Sequence, residues 1–186
     1  ETTTGVTTFF IDEQIDTGNI LLQKSTEIGR EETAGELHDR LMKTGAALVV
    51  DTVEMIAAGP VNTTRQKHIT SVKNAPKLGR ENSRISWDQT DMVVYNKIRG
   101  LSPYPGAWTE LENNSETLRI KIFRASPADI RVAGVPGQLK VTGQHLFACT
   151  GKGWLELLEI QLPGKRRMTV REVLNGMNLP ANACFR

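Results

Sequence analysis

Gly5-Val6-Thr7-Thr8-Phe9-Phe10-Ile11-Asp12-Glu13-Gln14-Ile15-Asp16-Thr17-Gly18-Asn19-Ile20-Leu21-Leu22-Gln23 is the stretch whose reading decides the fold. Residues 5–11 and 20–23 are β-branched, aromatic and apolar, which predicts two strands joined by the intervening turn. That turn holds three carboxyls and a Thr-Gly. It reads either as an ordinary solvated hairpin loop or as a chemical loop held by a rigid scaffold, where functional residues concentrate.

Working outward, Lys24–Ile28 either continues the second strand or leaves it. Thr33-Ala34-Gly35-Glu36 has the capping-box spacing, in which hydroxyl and carboxylate satisfy orphan amides of a helix start. Leu37, Leu41, Leu48, Val49, Val53 and Ile56 follow at helical spacing, and Gly59-Pro60 stops the run. A helix of about seven turns is predicted. Its apolar stripe needs a partner surface larger than one hairpin offers, because two strands and a helix are marginal alone. Residues 1–60 are therefore expected to be the last strands and last helix of an α/β domain whose beginning lies outside this sequence. An exposed edge where further strands belong would invite self-association.

Residues 61–81 read as a polar linker containing Asn74-Ala75-Pro76-Lys77. Within 82–186, Arg84–Asp88 is a short strand or staple and Thr90–Arg99 a helix ended by Gly100. Pro103-Tyr104-Pro105-Gly106 is a rigid turn. Five strands follow at 107–111, 118–124, 137–142, 146–150 and 154–161, with a closing helix over 168–176. Short strands at this spacing predict a small β-barrel, best matched by an OB-like closure. Gly151-Lys152-Gly153 is a hairpin turn, since no helix opens after it, and Trp87, Trp108 and Trp154 are expected to fill the core.

With 39% apolar and 24% charged residues the chain can build a core, which excludes an intrinsically disordered chain. No apolar run approaches a membrane span. Cys149 and Cys184 lack metal-ligand spacing and fit a reducing cytosol, although a disulfide between them stays open. The net charge of +2 conceals a gradient: residues 1–60 carry 4 Lys and Arg against 11 Asp and Glu, while 119–186 carry 11 against 4. Such asymmetry suggests that the basic end meets a polyanion. Lys165-Arg166-Arg167 on one turn, with Arg119, Lys121, Arg124, Lys140 and Lys152 on neighbouring strands, would bind phosphates through counterion release. Strand alternation can put Arg119 and Lys121 on one face. A solvated barrel surface is the alternative reading, and Lys77 on the linker is a further candidate.

Ile11-Asp12-Glu13 and Asp16-Thr17-Gly18-Asn19-Ile20-Leu21 resemble the folate-dependent formyltransferases, and the methionyl-tRNA formyltransferase family in particular. Asn74-Ala75-Pro76-Lys77, Ile85-Ser86-Trp87, the run Ile98–Trp108 and Leu162–Met168 carry the same resemblance in the same order, across nearly the whole chain. Asn74 stands where an aromatic or His is common in that family, and Gly100 where Ala is usual. The family's Ser-Leu-Leu-Pro folate motif and its Asn and His of the active site are not among these residues.

The resemblance implies a Rossmann-like catalytic domain ending near residue 60, a linker, and a tRNA-binding barrel. It implies formyl transfer from 10-formyltetrahydrofolate to the α-amino group of methionyl-initiator tRNA, without metal. Asp16 would be catalytic, and Asp12, Glu13, Gln14, Ile15, Thr17 and Gly18 would shape the loop against the pteridine. Burial between apolar strands would raise the Asp16 pKa. The chain alone would lack the donors for the oxyanion and so be inactive, while still binding tRNA. A sugar-nucleotide formyltransferase shares the Asp-Thr-Gly loop but needs no broad basic face. A non-catalytic nucleic-acid-binding module leaves the acidic end unexplained.

Overall fold

A computed structural model describes residues 1–14, 17–66, 73–113 and 116–186. The chain divides into two compact units, Glu1–Pro76 and Lys77–Arg186.

In the first unit, β1 (Thr3–Phe9) pairs antiparallel with β2 (Ile20–Glu27), so the second strand continues past Lys24. The register slips between Thr8 and Phe9, where the Leu22 amide donates to Thr8 Oγ1 at 3.2 Å. Helix α1 (Ala34–Ala57) starts on the foreseen capping box, with Thr33 and Glu36 satisfying each other's amides. It packs one face on the hairpin: Thr8 Oγ1 and Thr52 Oγ1 lie 2.9 Å apart, and the Arg40 guanidinium grips Glu32 and the Glu27 carbonyl. Its other side leaves Met42, Val49, Val53 and Ile56 exposed, Val53 at 60%. These four fall on one helical stripe, so the hairpin covers only part of the helix's apolar surface.

The second unit owns the core. Helix α2 (Asp91–Gly100) is capped by Thr90 and buries Val94, Tyr95 and Ile98. Strands β3 (Ala107–Asn113), β4 (Glu116–Ala128), β5 (Leu139–Thr142), β6 (His145–Cys149) and β7 (Trp154–Gln161) follow. After them come β8 (Arg167–Thr169), α3 (Val170–Gly176) and β9 (Cys184–Phe185). The sheet runs β5-β6-β7-β4-β3-β9, with β8 on β7. Its two ends meet: Phe185 N donates to the Gly137 carbonyl at 2.8 Å, and Gln138 bridges Cys184. The result is a nearly closed antiparallel barrel. Ile98, Ile120, Ile122, Leu155 and Leu157 lie at its centre. Trp87, Trp108 and Trp154 are all buried, and Trp87 stacks on Phe185 at 5.0 Å.

Five strands were expected and seven are present. The added ones are short: β8 (Arg167–Thr169) takes Met168 and Thr169 from the start of the expected closing helix, and β9 is two residues long. β4 extends to Ala128, because register shifts around Arg124 let it keep pairing with β7. The segment 84–88 is a turn whose Arg84 makes a single parallel bridge to Trp108.

Glu172 ties α3 down through a second capping box with Thr169 and an ion pair to Arg166. The Arg166 hydrogen bond, then the Thr169 amide and hydroxyl, hold its carboxyl from an ordinary 4.5 down to about 2. A folded pKa below the unfolded one means stability present above about pH 4.5 and lost as pH falls towards 2. Glu172→Gln should flatten the acid limb of the melting curve across that window while keeping the cap. Ile122→Ala should cost about 2–5 kcal/mol by chemical denaturation at neutral pH.

Candidate functional site

The loop of residues 10–19 is closed at its neck by Phe10 N donating to the Asn19 carbonyl at 3.0 Å. Gly18 is buried there, and a Cβ on it would stand 1.5 Å from the Phe10 carbonyl oxygen, so only glycine fits. Asp12 organises the tip: its Oδ1 accepts from Gln14 N at 3.0 Å and from Thr17 Oγ1 at 2.6 Å. The base is strapped by residues 63–66. Ile20 and Thr64 exchange backbone bonds, Asn19 Nδ2 donates to Thr63 Oγ1, and Gln66 Nε2 donates to the Gly18 carbonyl at 2.8 Å. Part of the segment read as linker is thus built into the loop's foundation.

Phe9, Phe10, Ile11, Asp12, Glu13, Gln14 and Gly18 line a hollow of about 300 Å³. Ile11 is 91% exposed. The amides of Ile11, Asp12 and Glu13 have no protein acceptor among the described residues. Apolar walls with open backbone donors suit the edge of a flat, polar heterocycle. Asp12, Glu13, Gln14, Thr17 and Gly18 come together here; Ile15 and Asp16 lie outside the described residues.

The basic candidates of the second unit sort by sheet register. Arg84 bridges Trp108, Trp108 pairs with Lys121, Lys121 with Gln161, and Gln161 with Arg167. Partners in register share a face, so one row crosses five backbone segments. Arg119 joins it from two residues before Lys121. Three guanidiniums crowd the Trp108 ring: Arg119 at 4.7 Å, Arg84 at 5.4 Å and Arg80 at 5.6 Å from its centroid. Their carbon stems and planes cover the indole, leaving it 7% exposed.

Several of these cations already have protein partners. Arg84 pairs with Glu110 at 2.9 Å. Lys121 Nζ donates to the Pro105 carbonyl at 2.9 Å. Arg167 holds Glu159, which also faces Arg124 across the strands, and Arg166 holds Glu172. Arg80, Arg119 and Lys165 have no carboxylate partner among the described residues. Lys140 sits in a different row, opposite Phe147 and then Glu156, about 17 Å along β7 from Gln161. Lys152 lies on the β6–β7 turn beyond the far end of that strand, and Lys77 is exposed at the start of the unit. The register therefore gathers Arg119, Lys121 and Arg167, with Lys165 and Arg166 on the turn that leads into Arg167, and separates Lys140 and Lys152 from them.

Arg80 and Arg84 were missed. Their signal was the spacing of four that aims both at one aromatic, hidden because the segment read as linker and staple. Arg84 also borders a cleft of about 600 Å³ with Trp87, Asp88, Lys97, Phe185 and Arg186. Burial pushes the Lys97 ammonium below its usual pKa.

Both units match profiles of one class of protein, the formyl transferases. The formyl transferase profile matches residues 1–53, and the formyl transferase C-terminal domain profile matches residues 77–178. The methionyl-tRNA formyltransferase of Flavobacterium johnsoniae is 44% identical over 183 residues, covering 98% of this chain and 58% of its own length. That of Chlorobium phaeovibrioides is 43% identical over 188 residues, covering 100% and 57%. Among solved structures, HypX from Aquifex aeolicus superposes with a TM-score of 0.70 at 21% identity, over 97% of this chain and 32% of that one. The sugar 3N-formyl transferase WlaRD gives 0.62 at 21% identity, over 89% and 57%. The chain belongs to the formyl transferase family. It spans somewhat over half the length of the curated relatives it matches, and those relatives are named methionyl-tRNA formyltransferases.

Gly18→Ala should force Phe10 and Gly18 apart. Faster amide exchange at Phe10 and a loss of more than about 1 kcal/mol in the first unit are expected. Gly45→Ala, whose Cβ would meet Val6 at an ordinary 3.7 Å, should instead stabilise α1 by about 0.5–1 kcal/mol.

Proposed function

We propose that this chain is the part of a methionyl-tRNA formyltransferase that carries the acidic folate loop and the tRNA-binding barrel. The whole enzyme moves the formyl group of 10-formyltetrahydrofolate onto the α-amino group of methionyl-initiator tRNA in the cytoplasm. The observation that carries this reading is the coexistence of the strapped loop with the cross-strand row from Arg84 to Arg167. Support comes from relatives that bear the name at 44% and 43% identity. Structures of the same fold hold tetrahydrofolic acid in HypX and 5-N-formyl-THF in WlaRD.

In this reading the first unit completes a Rossmann-like domain, with further chain covering the Met42–Ile56 stripe, and the barrel is OB-like. Residues 1–60 belong to the catalytic domain, 61–81 to the linker and 82–186 to the tRNA-binding domain. The amides of residues 11–13, which have no acceptor among the described residues, and the apolar walls of Phe9, Phe10 and Ile11 fit the pteridine edge. Asp12 fixes that edge by holding Gln14 and Thr17, and Glu13, Ile15 and Gly18 complete the loop.

Chemically, the α-amine must attack as the free base and the formyl carbon becomes tetrahedral; the attacking nitrogen sheds a proton, the bond from the formyl carbon to N10 of the folate breaks, and N10 takes up a proton as tetrahydrofolate leaves. Asp16 orients the nucleophilic nitrogen and takes up the positive charge that develops on it. The donors for the oxyanion come from residues outside this chain. Arg80, Arg84, Arg119, Lys121, Lys165, Arg166 and Arg167 hold the tRNA backbone, with Lys77, Arg124, Lys140 and Lys152 adding long-range attraction. Phosphate contacts of this kind orient the acceptor end without reading its sequence.

Titrating the 186-residue chain with initiator tRNA should give log K falling with log salt at a slope of about −4, for about five phosphates. Arg84→Met should reduce that slope by about one. The chain alone should transfer no formyl group. Joined to an amino-terminal segment of a relative it should accept methionyl-tRNA and not a UDP-amino-sugar, and Asp16→Asn should then lower kcat about 10²–10⁴-fold. Affinity that ignores salt, or preference for the sugar nucleotide, would refute the assignment.

A further inference from the structure

Tyr104 stands apart from the other aromatic side chains of the second unit. The three tryptophans there are buried, whereas Tyr104 is 85% exposed on the α2–β3 turn. Its backbone is fixed despite that exposure. Pro103 and Pro105 lock φ on either side of it. Gly106 N closes the turn on the Leu101 carbonyl at 2.8 Å. The turn is also anchored to the barrel by Pro105, whose carbonyl accepts from Lys121 Nζ at 2.9 Å. Lys121 is the middle of the cross-strand basic row. A flat, uncharged π-face therefore projects into solvent from a turn whose backbone is tied to Lys121, in a unit that already presents arginines. Aromatic faces next to phosphate-binding cations take up unpaired bases, which stack with little regard to sequence because every base has a π-face.

We infer that Tyr104 is a stacking platform for an unpaired nucleobase at the single-stranded end of the RNA whose backbone follows the Arg84–Arg167 row. The inference rests on the tRNA reading above and adds to it a subsite for a base. Lys121 neutralises the phosphate next to the stacked base, and the tyrosine ring shields that base from water. Because the backbone of the turn is already held before the RNA arrives, stacking has only the two side-chain torsions of Tyr104 to order. The ring needs no hydroxyl for this role, so a phenyl ring serves equally well.

Two RNAs test it: initiator tRNA with its unpaired 3′ end, and the same molecule trimmed to a blunt acceptor stem. Binding is measured by fluorescence anisotropy with the 186-residue chain. Tyr104→Ala should weaken binding of the intact tRNA by about tenfold, in line with the worth of one base–aromatic stack. It should leave the blunt RNA unchanged, and Tyr104→Phe should match the unsubstituted chain on both. Lys121→Met should weaken both RNAs and lower the salt slope by about one. If Tyr104→Ala binds intact tRNA as tightly as the unsubstituted chain, or weakens both RNAs alike, the platform is overturned and the basic row stands. If the unsubstituted chain binds neither RNA, the interface reading falls and takes the platform with it.

Discussion

The second unit depends on the closure made at Gly137. Its amide donates to the Cys149 carbonyl at 2.9 Å and its carbonyl accepts from Phe185 N at 2.8 Å, so one residue links β6 to β9. A φ of +86° and a Cβ that would fall 2.2 Å from the Phe185 carbonyl reserve the position for glycine. Closing an antiparallel sheet fixes its stagger, and stagger decides which residues stand opposite one another. The row Arg84–Trp108–Lys121–Gln161–Arg167 is a consequence of that register. A slip of one residue in β4 would send Lys121 into the core and Ile122 into water.

The two units solve the burial problem unequally. The barrel encloses a continuous apolar core from its strands, α2 and α3, and leaves only scattered side chains such as Val141 and Leu158 exposed on its strands. The hairpin and α1 bury few residues fully, Leu48, Thr52 and the cap Thr33 among them, and leave a continuous stripe from Met42 to Ile56 in solvent. What holds the hairpin unit together is largely polar: Thr8 against Thr52, Arg40 across Glu32 and Glu27, and Gln66 on Gly18. Polar contacts specify geometry well but stabilise modestly. The hairpin is too small to cover an apolar stripe of that length, and this is what separates the two units' packing.

Much of this was legible in the sequence because local rules and tertiary packing agreed. Both capping boxes, the three helices and the five longer strands follow from spacing, caps and turn residues alone. The short strands were not legible, since β8 and β9 have too few residues for any period and exist only because the barrel closes. The hairpin was legible as a hairpin, and its Asp-Thr-Gly as a family signature. Its strap was not: Asn62–Gln66 is polar and aperiodic, and gains its structure from backbone groups of residues 18–20 that no pattern announces. On the basic face, counting charges found Lys140 and Lys152 as readily as Lys121, because composition carries no register. Arg80 and Arg84 became visible only once Trp108 was seen beneath them.

The partners of the row explain what kind of binding it favours. Arg84, Arg166 and Arg167 are each held by a carboxylate, and Lys121 by a backbone carbonyl. A phosphate approaching Arg84 or Arg167 must therefore compete with Glu110 or Glu159, while Arg80, Arg119 and Lys165 are ready to receive one. Half-exposed ion pairs are weak and screened by salt, so the exchange is feasible, but each one returns less than a free cation would. Held cations also keep their directions in the absence of ligand, because bidentate and stacked guanidiniums lose little freedom on binding. Under the function proposed above, such a face would orient a polyanion more than grip it, which would suit an acceptor end that must arrive in one pose and leave once its amine has been modified.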